Sequence, residues 1–251
     1  MNVLAVIWLN VSFYVLLVLF SLVAVPVLTL FVALQAPFIS HRRGMQLFRK
    51  AIRWYGFVVI YILPFPLVRV RFEDHGAGKS SGPCLVICNH RSSSDPFLMA
   101  CLPLPEVIQV VNTWTLSLPL WGLAAKLAGY LSINQMPVEE FFQQAGQLLR
   151  EGVSIAGFPE GTRSGGPVMG PFHGAMFRLA LQEKAMIVPL CISGNECIPA
   201  RGTMLLRPGK ITLRSLPALT WEYYKDLTPF QLKNKIHDII GHELDIMEAR
   251  A

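Results

Sequence analysis

Cys84-Leu85-Val86-Ile87-Cys88-Asn89-His90-Arg91-Ser92-Ser93-Ser94-Asp95-Pro96 opens as an apolar run behind Gly82-Pro83 and closes on polar residues. A short apolar run between turn signals reads as a buried strand, and Asp before Pro reads as a helix start. The stretch is thus a strand handing over to a helix, and the carboxyl ends of such strands are where α/β sheets collect ligands. An imidazole is the natural general base near neutral pH, and a carboxylate a few residues on can hold its other ring N–H and set its tautomer. His90 and Asp95 fit those roles. Asp95 as a plain helix cap would need no chemistry, so the pair gains meaning only from the rest of the chain.

Downstream, strands and helices alternate. Pro96 to Cys101 reads as a short helix, Val107 to Val111 as a strand, about Leu116 to Leu127 as helical, and Leu131 to Ile133 as a short strand. Val138, Phe141, Phe142, Ala145, Leu148 and Leu149 recur at helical spacing after Pro137. Val153 to Phe158 is the next buried strand, His173 to Gln182 is helical, and Ala185 to Ile192 and Lys210 to Leu216 are strands. Thr228-Pro229 starts a last amphipathic helix carrying Leu232, Ile236, Ile239, Ile240 and Leu244 on one face. The fold class predicted is α/β: a mixed central sheet flanked by helices.

Phe158-Pro159-Glu160-Gly161-Thr162-Arg163-Ser164 sits at its own strand end, as the first stretch does. Pro and Gly shape a tight loop, and a guanidinium offers a planar fork of donors for phosphate or carboxylate. Glu160 can orient that fork or a substrate group. Standing alone, the loop would read as a surface turn with a local Glu/Arg pair.

Upstream, residues 3–34 carry no charged side chain, more than the ~20 residues a helix needs to cross a bilayer. Basic residues before an apolar core and a small-residue cleavage point are both missing, so an uncleaved anchor is expected. His41, Arg42, Arg43, Arg49, Lys50 and Arg53 follow; if the first segment spans, they put the remainder on the cytoplasmic side. They can also grip anionic headgroups. Trp54 to Val68 is apolar but short and holds Pro64 and Pro66, which suits an interfacial or re-entrant segment. Leu67 to Glu73 reads as the first strand of the globular part, and Gly76-Ala77-Gly78-Lys79-Ser80 as a solvated turn rather than a phosphate loop, because no helix follows it. The division is 1–66 for the membrane-anchoring helices and 67–251 for the α/β domain.

Composition agrees with a lipid setting: 53% of residues are hydrophobic and 15% charged, against roughly 25% charged in an average soluble chain. A formal charge of +6 favours anionic partners, and the apolar content selects membrane over nucleic acid. Cys84, Cys88, Cys101, Cys191 and Cys197 lack CxxC spacing or a His cluster, so they read as reduced, buried, small hydrophobes facing the cytosol, with no metal site.

Asn-His-x-x-x-x-Asp after one strand and Phe-Pro-Glu-Gly-Thr-Arg-Ser after another together resemble the glycerolipid acyltransferase family, typified by 1-acylglycerol-3-phosphate acyltransferases. The resemblance covers Leu67 to Pro217 and includes Ile187-Val188-Pro189-Leu190-Cys191-Ile192, similar to the family's Pro-containing block. It implies transfer of a fatty acyl group from a thioester, acyl-CoA or acyl carrier protein, to a hydroxyl of a lysophospholipid, without an acyl-enzyme and without a further cofactor. His90 would be the base, Asp95 its orienter, and Glu160, Gly161, Thr162 and Arg163 the acceptor-binding loop, with Arg163 near a phosphate. Where the family runs Gly-x-x-Phe-Ile-Asp-Arg, this chain has Gly129-Tyr130-Leu131-Ser132-Ile133-Asn134-Gln135, an amide in place of a cation. That departure opens a second possibility, an acceptor without glycerol phosphate; a third is a non-catalytic lipid-binding relative. A serine hydrolase using Ser92, Ser93 or Ser94 would lack the usual Gly-x-Ser-x-Gly elbow.

Overall fold

The computed structural model describes residues 3–76, 82–119, 121–134 and 136–249. In chain order it holds α1 (Val3–Gln35), α2 (His41–Phe57), β1 (Val68–Asp74), β2 (Cys84–Cys88), α3 (Asp95–Leu98), β3 (Val107–Gln109) and α4 (Trp121–Leu127). α5 (Val138–Arg150), β4 (Ser154–Gly157), α6 (Ala175–Glu183), β5 (Met186–Ser193), β6 (Gly209–Ser215), α7 (Trp221–Tyr224) and α8 (Pro229–Ala249) follow. The six strands form one mixed sheet in the order β1-β6-β5-β2-β4-β3, parallel except where β5 meets β6.

β2 lies between β5 and β4, and all five of its residues are buried. Successive side chains on a strand face opposite ways. Leu85 and Ile87 accordingly join Phe141, Phe177 and Ile236 under α5, α6 and α8, whereas Cys84, Val86 and Cys88 join Leu9, Ile60 and Leu98 on the other face. An apolar run of this kind suits a central strand covered on both sides.

Four expectations change in the folded chain. Leu131 to Ile133 is not a strand but a single bridge, Val110 to Leu131, because turns at Gly129 and at Ile133-Asn134 leave no length for a ladder. The helical stretch from Leu116 is broken at Leu118-Pro119 into a 3₁₀ turn, Thr113–Ser117, and α4. Trp54 to Val68 is not a separate segment: it begins as the end of α2, continues through a π-helical turn (Val58–Ile62), and buries Tyr55, Val58, Val59 and Ile60 while Trp54, Phe57, Ile62 and Phe65 stay exposed. Cys101 and Cys197 are half-buried rather than buried, although all five cysteines are free. The expected turn at Gly76 runs into residues 77–81, which lie outside the described residues.

The basic residues of α2 are also placed differently. Arg42 and Arg49 reach Glu106 at 2.7 and 2.9 Å, and Gln46 donates to the same carboxylate at 2.9 Å. Arg53 donates to the Ala100 and Leu104 carbonyls. These three arginine side chains bind protein groups, whereas His41, Arg43 and Lys50 stay exposed. Burial works against ionisation of Glu106, but its hydrogen bonds to Arg42, Arg49 and Gln46 outweigh it and hold the carboxyl below its ordinary range.

α1 is long, apolar and mostly uncovered: Val3, Leu4, Trp8, Val11, Leu22, Val23 and Leu34 are all more than half exposed. Three of its polar residues bond within the protein. Ser12 and Ser21 donate to carbonyls four residues back, and Asn10 makes two bonds of 2.8 Å with the backbone of Leu206. Near the other end Val32 packs with Phe48 and Ala128.

Candidate active site

At the end of β2 the backbone leaves the sheet, and the Asn89 side chain takes over its pairing with β5: Nδ2 donates to the Ile192 carbonyl at 2.9 Å and Oδ1 accepts from the Ile192 N–H at 2.8 Å. The next residue, His90, is held by both backbone groups. Its N–H donates to Glu160 Oε1 at 2.6 Å, and its carbonyl accepts from the Ser164 N–H at 2.8 Å. The two loops read from the sequence are therefore joined through one residue, because β2 and β4 are adjacent parallel strands that end together.

The His90 ring stacks on Phe158 with centroids 4.5 Å apart, and Nδ1 lies 2.7 Å from Asp95 Oδ2. Asp95 is fully buried; Oδ2 also accepts the N–H groups of Arg91 and Ser92 at 2.8 and 3.0 Å, and Oδ1 accepts from Asn195 Nδ2. A carboxylate with these donors is an ionised acceptor for Nδ1–H, which leaves the Nε2 lone pair without a protein partner among the described residues. Asp95 does not cap its helix: Ser94 occupies that position and Asp95 points back into the loop. The N–H groups of residues 90, 91 and 92 are all committed, so none of them is a free oxyanion donor.

Glu160 is buried, and its second oxygen accepts from the Gly170 N–H at 2.7 Å. It orients backbone, not the guanidinium of Arg163. Burial pushes its carboxyl up, against the pull of the His90 and Gly170 N–H groups. Gly161 has φ +68°, and a Cβ there would sit 3.1 Å from the His173 ring, so glycine is the residue that fits. Thr162 and Arg163 line the cavity beside His90, and Arg163 has no hydrogen-bond or ion-pair partner among the described residues. Asn134 is exposed on the same cavity, while Gln135 lies outside the described residues.

The cavity has a volume of about 1120 Å³ and runs from His90 between the sheet and the first two helices, past Phe13, Tyr14, Val59, Ile60 and Phe97. A mostly apolar space ending at an imidazole suits a long hydrocarbon chain with its reactive end at His90. Cys88 is fully buried and its thiol is pushed far up by that burial, so it is no nucleophile. Ser92 is fully buried and donates to the Ile198 and Pro199 carbonyls.

Sequence reading passed over Arg91, 1% exposed, which pairs with Glu196, with Glu248 at 2.5 Å and with the Pro167 carbonyl at 2.8 Å. It also passed over Asn195. The only sequence signals were a charged residue inside a loop bound for burial and an Asn after Gly194.

A family profile described as Acyltransferase matches residues 69–193. The chain is 28% identical to a 1-acyl-sn-glycerol-3-phosphate acyltransferase of Limnanthes alba, over 77% of each. It is 31% identical to the human 1-acyl-sn-glycerol-3-phosphate acyltransferase alpha, over 65% of this chain and 59% of that one. The crystal structure of the 1-acyl-sn-glycerophosphate acyltransferase PlsC from Thermotoga maritima superposes with a TM-score of 0.76 at 17% identity, covering 98% of this chain and 97% of the other, which is a likeness of fold.

Proposed function

The chain belongs to the glycerolipid acyltransferase family, and we propose that it moves a fatty acyl group from an acyl-CoA or acyl carrier protein thioester to the free hydroxyl of a lysophospholipid such as 1-acylglycerol-3-phosphate. His90 Nε2 takes the hydroxyl proton, the alkoxide oxygen attacks the thioester carbonyl, and the carbon–sulfur bond breaks as the thiolate leaves and regains that proton from the imidazolium. Asp95 keeps the ring oriented and stabilises the imidazolium. Arg163, with Gly161 and Thr162 beside it, receives the acceptor headgroup; Glu160 holds the His90 backbone at the loop junction. The observation that carries the reading is the 2.7 Å His90–Asp95 contact at the head of a large apolar cavity.

We place the enzyme on a membrane. α1 is hydrogen-bonded to the transfer domain at Asn10 and packs near its other end, at Val32, in a cluster with Ala128, which favours a helix embedded from one side over one crossing the bilayer. The positive-inside argument then loses its footing; five free cysteines support the cytoplasmic face instead. Residues 1–66 supply the anchor and 67–251 the transfer domain.

His90→Ala should abolish thiol release with donor and acceptor present while vesicle binding persists; full activity would reject the mechanism. A panel of lyso-acceptors with and without phosphate, run with CoA and carrier-protein donors, identifies both substrates. Indifference to the phosphate would favour the second reading, a non-glycerophosphate acceptor, for which Gln135 in place of the family's arginine speaks.

A further inference from the structure

We infer that Asn195 is a positioning residue for acyl transfer, acting through Asp95; the inference rests on His90 being the base. Asn195 is fully buried and its amide donates to Asp95 Oδ1, the oxygen that His90 does not use. The carboxylate is thereby held at both ends: the loop N–H groups of Arg91 and Ser92 fix Oδ2, and β5 fixes Oδ1 through Asn195. With Oδ1 unheld, the carboxylate could rotate about its last bond and carry Oδ2 away from Nδ1.

The turn that presents Asn195 is built around the catalytic loop. Gly194 has φ +84°, and a Cβ there would lie 2.2 Å from the Lys210 carbonyl, so only glycine lets β5 turn toward Asp95. The Asn195 carbonyl then accepts from the Ile198 N–H at 2.9 Å, closing the turn. Three successive features of that turn each take one residue of the loop: Asn195 takes Asp95, Glu196 takes Arg91, and the Ile198 and Pro199 carbonyls take the Ser92 hydroxyl. Of these only Asn195 touches the carboxylate that meets the imidazole. Its effect therefore falls on the chemical step, whereas Glu196 and the carbonyls hold backbone and a neighbouring cation.

Steady-state transfer by the full-length enzyme in detergent or vesicles tests this. Asn195→Leu keeps the branched shape and removes the donor; it should lower kcat about ten- to a hundred-fold, the weight of one charged hydrogen bond, with KM for donor and acceptor within about two-fold. Asn195→Ser keeps a polar group in the pocket, protecting the fold, yet is too short to reach Asp95, and should lose kcat similarly. In an Asp95→Asn background, Asn195→Leu should have little further effect on the residual rate, because the two act as a unit. Unchanged kcat in either single variant, or a full additional loss in the Asp95→Asn background, overturns the inference. If His90→Ala is inactive while Asn195→Leu and Asn195→Ser are fully active, only the role of Asn195 falls; an active His90→Ala removes the reading beneath it.

Discussion

Arg163 stands on the cavity wall with no protein partner among the described residues, whereas Arg91, Arg49 and Arg214 are each spent on carboxylates. A guanidinium left free beside a base is available to an anionic acceptor. Arg163→Met should therefore raise KM for a phosphate-bearing acceptor about ten- to a hundred-fold, the loss of a charged hydrogen bond, and leave KM for the thioester unchanged. Initial rates with each substrate varied in turn check this. The sequence singled out His90, Asp95 and Arg163 because each sits in a short motif at a strand end, and the fold brings all three to one cavity or its edge. For Glu160 the sequence offered the Arg163 guanidinium, three residues away, or a substrate group as partner; the fold turns the carboxylate inward to the His90 and Gly170 N–H groups.

Between elements, α2 is fastened to the domain through Glu106. Arg49 is almost fully buried, and a buried charge stripped of its partner is costly. Glu106→Gln should destabilise the protein by about 3 kcal/mol, read as a lower midpoint of denaturant or thermal unfolding. The pH dependence has a definite sign. The folded Glu106 carboxyl lies below its ordinary value, so its contribution is present in full above about pH 4.5 and is lost as pH falls through the lower folded value. Wild-type stability should drop more steeply than that of Glu106→Gln on acidification through that window. Amphipathic spacing made α5 and α8 legible, yet α2 gave no hint that Arg42, Arg49 and Arg53 turn inward, because Glu106 and the Ala100 and Leu104 carbonyls come from a distant segment.

For the molecule as a whole, α1 is more than an attachment. Phe13, Tyr14, Leu17, Val25 and Leu28 form part of the wall of the cavity that begins at His90, so the helix proposed as the anchor also closes the space proposed for the acyl chain. Deleting residues 1–35 should abolish transfer from long-chain thioesters even in detergent micelles, where membrane attachment is no longer needed. A truncated enzyme with full activity in micelles would show that α1 serves only as an anchor.

What the sequence determined by itself was local: the buried run Cys84 to Cys88, the alternation of strands and helices, the uncharged first helix, and two polar loops at strand ends. Each rests on spacing within one element, which side-chain direction and hydration impose without reference to the rest of the chain. Only the tertiary structure decided which groups meet. The order β5-β2-β4 brings Asn195, His90 and Glu160 to neighbouring strand ends, so the partners of the His90–Asp95 pair are set by strand adjacency, a long-range choice that leaves no trace in local pattern.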